Sequence, residues 1–469
     1  MRFSPASCAF LCCCFFPSLW LDASAQALPR KVMFGVGTKP LDGSTAVAHH
    51  LKPGDGVLVT LVVPDSTAAR LGVRVGDVIT SVNQKTFANN EDLAAFARTL
   101  NAGDPVEIAF IANGLKTTHA GFAQGRPMET SDLAEVRYGA VDYALGTLRT
   151  ILHIPKNKPG KLPVIFYLQG YPCASMEFLP DSKAAGKQAI DAWVGAGYAV
   201  FRVERPNLGD SRASKDCRDT DFDEELAAHV AAYKKLLSDD FVDLGNVFLF
   251  GHSLGSVTAP LLAQTFQPKG IMVYGVVLRS WFEYFVDIER VQALYYGESR
   301  VAAERAAREL MPVYFEWLEN GKSPAQLKQN PAFKRVFDAP GNPLNVSGDY
   351  FFGRHYRFWH TLNKKHMALA WSKVTGKVLA LHGEFDVQAI NATDAQNIAA
   401  VVNESHAGNG AFVLIPKAEH GFLKAESHAA VVAASRGKPD QAHNEDYNPE
   451  IGRLTVAWMN ALIGHPSSN

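Results

Sequence analysis

The chain has 469 residues, 47% hydrophobic and 20% charged, which is enough apolar material for two or three domains with sizeable cores. Its formal net charge of -1 favours neither nucleic acid nor an anionic membrane surface as a partner. Beyond the first 25 residues no apolar run is long enough to span a bilayer.

Residues 1–25 read as an export signal. Arg2 is the short positive region, and 8–21 is mostly apolar, with Phe10, Leu11, Phe15, Phe16, Leu19 and Trp20. Ala23-Ser24-Ala25 then fits an A-x-A cleavage site, with Ala25-Gln26-Ala27 as a second choice. The expected location is therefore the periplasm or the cell exterior. No lipobox precedes Cys12-Cys13-Cys14. Cleavage removes four of the six cysteines and leaves Cys173 and Cys217. An even pair in an exported chain reads as a disulfide; two separate buried thiols are the alternative.

Residues 28–123 form a first unit. The run 57–63 is a strand. Ser66 starts a short helix that Gly72 stops, and Gly76-Asp77 turns the chain into a strand ending near Asn83. The stretch 91–100 is an amphipathic helix, with Leu93, Phe96, Ala97 and Leu100 at i, i+3, i+4 and i+7. A further strand covers 105–110. The run S-x-A-A-x-L-G-V-x-x-G-D-V-I-x-x-V-N over 66–83 resembles the PDZ domains attached to bacterial exported proteases. That resemblance implies a groove between a strand and the 91–100 helix, which takes an extended peptide or a protein C-terminus by strand addition. It places the carboxylate-binding turn at Met33-Phe34-Gly35-Val36, so Phe34, Gly35 and Val36 are the expected peptide-binding residues. A domain that only packs on its neighbour is the other reading.

Residues 124–132 are polar, with Gly125 and Pro127, and read as a linker. From 133 to 465 strands and helices alternate. An antiparallel pair covers 135–143 and 148–154. The continuous apolar run 162–168 suits a strand buried on both faces. A helix at 184–196, a strand at 198–203 and a helix at 222–237 follow; Leu226, His229, Val230, Tyr233 and Leu237 share one face of the last. Strands at 247–250, 271–278, 378–381 and 412–415 and a closing helix at 453–462 complete a doubly wound, mostly parallel α/β plan. The interval of about 281–371 lacks a core strand but is helical and aromatic-rich, as in Tyr314-Phe315-Glu316-Trp317. It is too long for a structureless loop and reads as a helical cap over the sheet's C-terminal edge.

The chemistry centres on Gly251-His252-Ser253-Leu254-Gly255, a G-x-S-x-G turn between an apolar strand and a small-residue helix. Two later strands end in Gly383-Glu384-Phe385-Asp386 and in His420-Gly421-Phe422. The order Ser, Asp, His, each just after a strand, resembles the α/β-hydrolase superfamily. The resemblance implies that Ser253 is the nucleophile, His420 its base and Asp386 the group that orients His420, with Glu384 the competing acid. His382 and Glu419 lie close in sequence but off the motif positions. It also implies an oxyanion hole made by the Leu254 N–H and a donor from the loop after strand 162–168. That loop reads Gln169-Gly170-Tyr171-Pro172-Cys173. Many relatives carry His-Gly where this chain has Gln169-Gly170; the Tyr171 N–H is the first choice, Gly170 the second, and Pro172 has none. A Cys173–Cys217 bond ties this loop to its neighbour. Cys173 as a thiol nucleophile has no histidine motif of its own.

No clustered ligand set and no dinucleotide fingerprint point to a metal or an organic cofactor. The expected activity is cleavage of carboxylic esters through an acyl-serine intermediate. A peptidase recruiting peptides through the PDZ unit is the runner-up, and a non-catalytic PDZ scaffold is third. Fold alone does not separate ester from amide substrates.

Overall fold

A computed structural model describes residues 28–180, 182–437 and 446–464. The expected export signal at 1–25 lies outside the described residues.

The N-terminal unit is built on six strands: β1 (Val36–Pro40), β2 (Val57–Val62), β3 (Val78–Val82), β4 (Lys85–Thr86), β5 (Pro105–Ala112) and β6 (Leu115–Phe122). They pair in the order β1-β2-β3-β5-β6, with β4 on β3. Ser66 caps the Thr67–Arg70 helix by accepting from the Ala69 N–H, and Gly72 leaves it at φ +79°. This is the stop that a left-handed position demands of glycine. The Asn90–Ala97 helix buries Leu93 and Ala97 and packs beside the edge strand β1. Four elements carry no clear sequence signal: β1, the Gly43–Ala48 helix, β4 and β6. β6 is mostly polar, and its partner β5 rather than its own pattern makes it a strand.

The C-terminal domain has a second sheet. Its strands are β7 (Ala134–Tyr143), β8 (Gly146–Pro155), β9 (Leu162–Leu168), β10 (Ala199–Val203), β11 (Arg212–Ala213), β12 (Val242–His252) and β13 (Gly270–Tyr274), then β17 (Lys377–Gly383) and β18 (Gly410–Ile415). Between β13 and β17 lies a separate three-stranded sheet of β14 (Val346–Ser347), β15 (Tyr350–Phe351) and β16 (Arg354–His355). The main order is β11-β8-β10-β9-β12-β13-β17-β18, with β7 on the outer side of β8. β7, β8 and β10 pair antiparallel; from β10 to β18 every pair is parallel. Side chains of β9, β10, β13 and the 247–251 stretch of β12 are buried almost throughout, as helices on both faces require. The Phe222–Leu237, Gly255–Ala263 and Thr393–Ser405 helices cover one face. Ala185–Gly195 and Pro449–Ile463 cover the other, stitched by Trp193 Nε1 to Thr455 Oγ1 at 2.8 Å.

The Phe222–Leu237 helix is rotated from its expected orientation. Its buried residues are Phe222, Glu225, Ala228, His229, Ala232, Tyr233 and Leu236, while Leu226, Val230 and Leu237 are only partly covered. A charge turned inward, Glu225, sets this rotation, because two arginines wait for it. The interval between β13 and β17 is mainly helical, as in Trp281–Asp287, Arg300–Tyr314 and Tyr356–Asn363. Its aromatic residues pack chiefly on one another, as Trp317 does on Phe351 at 3.8 Å.

Both ends of the N-terminal unit are fastened to the C-terminal domain. Arg30 pairs with Asp210 at 2.7 Å and with Glu177 at 2.6 Å. Arg149 pairs with the same Asp210 and donates to the Leu28 carbonyl. At the other end Glu129 is buried and holds Arg202 through two bonds of 3.0 and 2.7 Å.

Candidate active site

β12 delivers the chain to Ser253, which sits at φ +54°, in the left-handed region that costs a side-chain-bearing residue on the order of 1–2 kcal/mol. The flanking glycines are required by space. A Cβ on Gly251 would lie 2.4 Å from the Gly255 carbonyl oxygen, and one on Gly255 would lie 2.2 Å from that of Leu168. The turn is held by the Ser253 N–H donating to Tyr274 at 2.9 Å and by the Ser253 carbonyl accepting from Ser256 at 2.8 Å. The Gly255–Ala263 helix starts here, so its positive end faces the serine.

Asp386 follows β17 and is fully buried. One carboxylate oxygen accepts from the N–H groups of Gln388 at 2.9 Å and Ala389 at 2.8 Å. His420 Nδ1 donates to the other at 2.9 Å. That bond fixes the proton on Nδ1 and leaves Nε2 as the basic nitrogen. Burial alone would lower the His420 imidazole, but the Asp386 charge and hydrogen bond raise it above its ordinary value of 6.5. Burial would raise Asp386, yet the His420 charge and hydrogen bond hold it below the usual carboxylate range. Glu384, the competing acid, is exposed and accepts from the Lys417 N–H instead. Glu419 turns away to cap the Gly421 and Leu423 N–H groups.

His252 had no role in the sequence reading. Its Nε2 donates to the His420 carbonyl at 2.8 Å, and burial with the nearby His420 charge lowers it to about 3. It is thus a neutral prop under the His420 loop. Tyr274 adds a second prop, its hydroxyl donating to the Glu419 carbonyl at 2.6 Å.

Ser253, Leu254, His420 and Tyr171 line one pocket of about 250 Å³. Its remaining walls come largely from the interval between β13 and β17: Trp281, Tyr284, Phe285, Ile288, Phe352 and Trp359. No Asp, Glu, Lys or Arg lines it. Among the described residues, the N–H groups of Leu254 and Tyr171 donate to no acceptor in the chain. Gly170 packs on Ser253; a Cβ there would lie 3.3 Å from the serine Cβ. Cys173 and Cys217 form a disulfide with Cα atoms 5.8 Å apart, closing a separation of 44 residues.

In the N-terminal unit the Phe34 side chain is core, so only its backbone is available to a ligand. Gly35 stands at φ +75°, where a Cβ would overlap Ser66 at 2.1 Å. The carbonyls of Met33, Phe34 and Gly35 are taken by Thr67, Ala68 and Val63. The N–H groups of Phe34 and Gly35 find no acceptor among the described residues. Val36 opens β1 on the free sheet edge. Thr38 Oγ1 donates to Asn90 Oδ1 at 2.9 Å, bridging β1 to the start of the helix.

The PDZ domain model matches residues 58–111, and the model described as the alpha/beta hydrolase family matches residues 178–434. The periplasmic serine endoprotease DegP of Salmonella typhimurium (strain LT2) is 31% identical over 84 residues, 18% of this chain and 18% of the relative. The periplasmic pH-dependent serine endoprotease DegQ of Escherichia coli (strain K12) is 29% identical over 85 residues, 18% of this chain and 19% of that protein. The chain thus spans under a fifth of the length of these relatives. Among solved structures, Est1E from Butyrivibrio proteoclasticus is 16% identical, with a TM-score of 0.42, covering 70% of this chain and 99% of that one. The Pyrococcus horikoshii acylaminoacyl peptidase is 12% identical, also with a TM-score of 0.42, covering 78% of this chain and 48% of that one.

Proposed function

Because the chain belongs to the alpha/beta hydrolase family and carries a PDZ domain, we propose that it is an exported serine hydrolase of uncharged carboxylic esters. His420 Nε2 takes the Ser253 hydroxyl proton as Oγ attacks the ester carbonyl. The tetrahedral oxyanion is met by the Leu254 and Tyr171 N–H groups. On collapse His420 returns the proton to the leaving alcohol, and water then repeats the sequence on the acyl-serine. Asp386 keeps the imidazole in the Nδ1–H tautomer and stabilises the imidazolium.

The observation that carries this reading is the union of Ser253 and the Asp386-bound His420 under an aromatic pocket with no charged side chain besides His420. An aminopeptidase or dipeptidyl peptidase must hold an ammonium terminus, and an uncompensated buried charge is costly. The pocket offers no counter-charge, so neutral esters fit better than peptide ends. The free N–H groups of Phe34 and Gly35 beside edge strand β1 support capture of a peptide C-terminus by the PDZ domain.

The test is chromophore release from neutral p-nitrophenyl esters, from a p-nitrophenyl succinate half-ester, and from aminoacyl and dipeptidyl anilides. The expected result is turnover of neutral esters, weak turnover of the charged half-ester, and loss of both in Ser253→Ala. Anilide turnover above ester turnover would make the chain a peptidase. No turnover by the wild type would make it a scaffold.

A further inference from the structure

The loop that presents Tyr171 is gripped from behind. Arg205 Nη2 donates to the Gly170 carbonyl at 2.6 Å, and Arg205 Nη1 donates to that of Pro172 at 2.7 Å. Arg354 Nη1 donates to the Tyr171 carbonyl at 2.9 Å. Three successive carbonyls are therefore pulled to the arginine side. A trans peptide points its C=O and N–H in opposite directions. Holding the Gly170 carbonyl on Arg205 therefore turns the Tyr171 N–H the other way.

One buried carboxylate organises both arginines. Glu225 Oε1 accepts from Arg205 Nε at 2.8 Å, and Glu225 Oε2 accepts from Arg354 Nη2 at 2.6 Å. All three side chains are at most 2% exposed. Arg205 comes from the loop after β10, Glu225 from the Phe222–Leu237 helix, and Arg354 from β16 of the cap. The cap sheet carrying Arg354 is itself docked beside the disulfide. The Tyr350 hydroxyl donates to Asp219, and the Arg218 guanidinium lies 4.1 Å from the Tyr350 ring centre.

We propose that Arg205, Glu225 and Arg354 are positioning residues for the oxyanion donor, and that Arg354 makes the Tyr171 N–H dependent on a seated cap. This rests on the serine-hydrolase reading and extends it. The ion pairs are not a generic stabilising cluster, because every remaining strong donor contact of the two guanidiniums to backbone falls on the 170–172 segment. With Arg354 released, the Tyr171 carbonyl loses its anchor, and Glu225, which seats Arg205 against the Gly170 carbonyl, loses its second partner, so the plane that carries the Tyr171 N–H is held less firmly.

The test uses the full-length protein and an alkyl fluorophosphonate. Ser253 Oγ bonds to phosphorus, fluoride leaves, and His420 takes the serine proton, while the phosphoryl oxygen occupies the oxyanion position. Arg354→Lys keeps a charge for Glu225 but loses the planar fork that reaches two partners at once. The expected result is a Tm within a few degrees of wild type, with phosphonylation and kcat each down tenfold or more and KM within threefold. Arg354→Met is expected to lose more of both rates. A folded Arg354→Lys protein that labels at the wild-type rate overturns the proposal, as does a change confined to KM. A wild-type chain that does not label at Ser253 overturns the serine-hydrolase reading itself.

Discussion

Gly275 lies directly against His420: a Cβ added at Gly275 would sit 2.7 Å from the imidazole Nδ1 and 3.1 Å from Asp386 Oδ2. The glycine is thus the floor on which the His420–Asp386 pair rests, and its φ of +65° independently disfavours a side chain. Gly275→Ala is expected to displace the imidazole and cut kcat by about 100-fold, the penalty typical of a misplaced reacting group. Steady-state kinetics on a neutral ester checks this, and an unchanged kcat would remove Gly275 from the account.

The raised His420 makes a pH prediction with a definite sign. In the proposed mechanism its neutral form is the base, so kcat/KM is expected to fall as pH drops, with an apparent pKa above the ordinary 6.5. Stability runs the other way. The folded state binds the His420 proton more tightly than the unfolded chain, so this histidine's contribution is fully present below 6.5. It is lost as pH rises through the raised folded value. Asp386→Asn is expected to move the acid limb to lower pH and to cost about four orders of magnitude in kcat.

Strain at Ser253 predicts a trade between activity and stability. Ser253→Gly and Ser253→Ala are both expected to be inactive. The glycine variant is expected to be more stable than the alanine variant by about 1 kcal/mol, because only glycine accepts φ +54° freely. Urea unfolding of the two side by side gives the comparison; equal midpoints would mean that the turn stores no strain.

The Cys173–Cys217 bond joins the Tyr171 loop to the segment that docks the cap sheet. Cys217→Ser is expected to cost about 2–4 kcal/mol of stability, as for other long loops. It should also lower kcat more than it raises KM. Full activity of the variant under oxidising conditions would reduce the bond to a structural staple.

The sequence made the strand–turn–helix units legible because their apolar runs and glycines carry local signals. Ser253, Asp386 and His420 were legible because each stands just past such a strand. Arg205, Glu225 and Arg354 were not. Arg205 follows an apolar strand, and that is a signal of sorts. Its partners, however, lie 20 residues on and in the cap, at spacings no periodicity encodes. Glu225 also misled the helix reading, since a buried carboxylate defeats a hydrophobic count. His252 was in plain view inside the G-x-S-x-G turn. Nothing local reveals that its ring reaches across to the His420 carbonyl.

The fastening of the PDZ domain at both ends bears on how the protein can be cut. Leu28, Arg30 and Glu129 belong to the PDZ side by sequence position. Yet they complete Arg149, Asp210 and Arg202, all buried within the other domain. A hydrolase fragment begun at Leu133 would leave Arg202 without its carboxylate, a defect worth about 3–5 kcal/mol. In topological terms the PDZ fold behaves as an insert between two anchor points. A shortened enzyme is better made by bridging Lys31 to Arg126 than by discarding everything ahead of the second sheet.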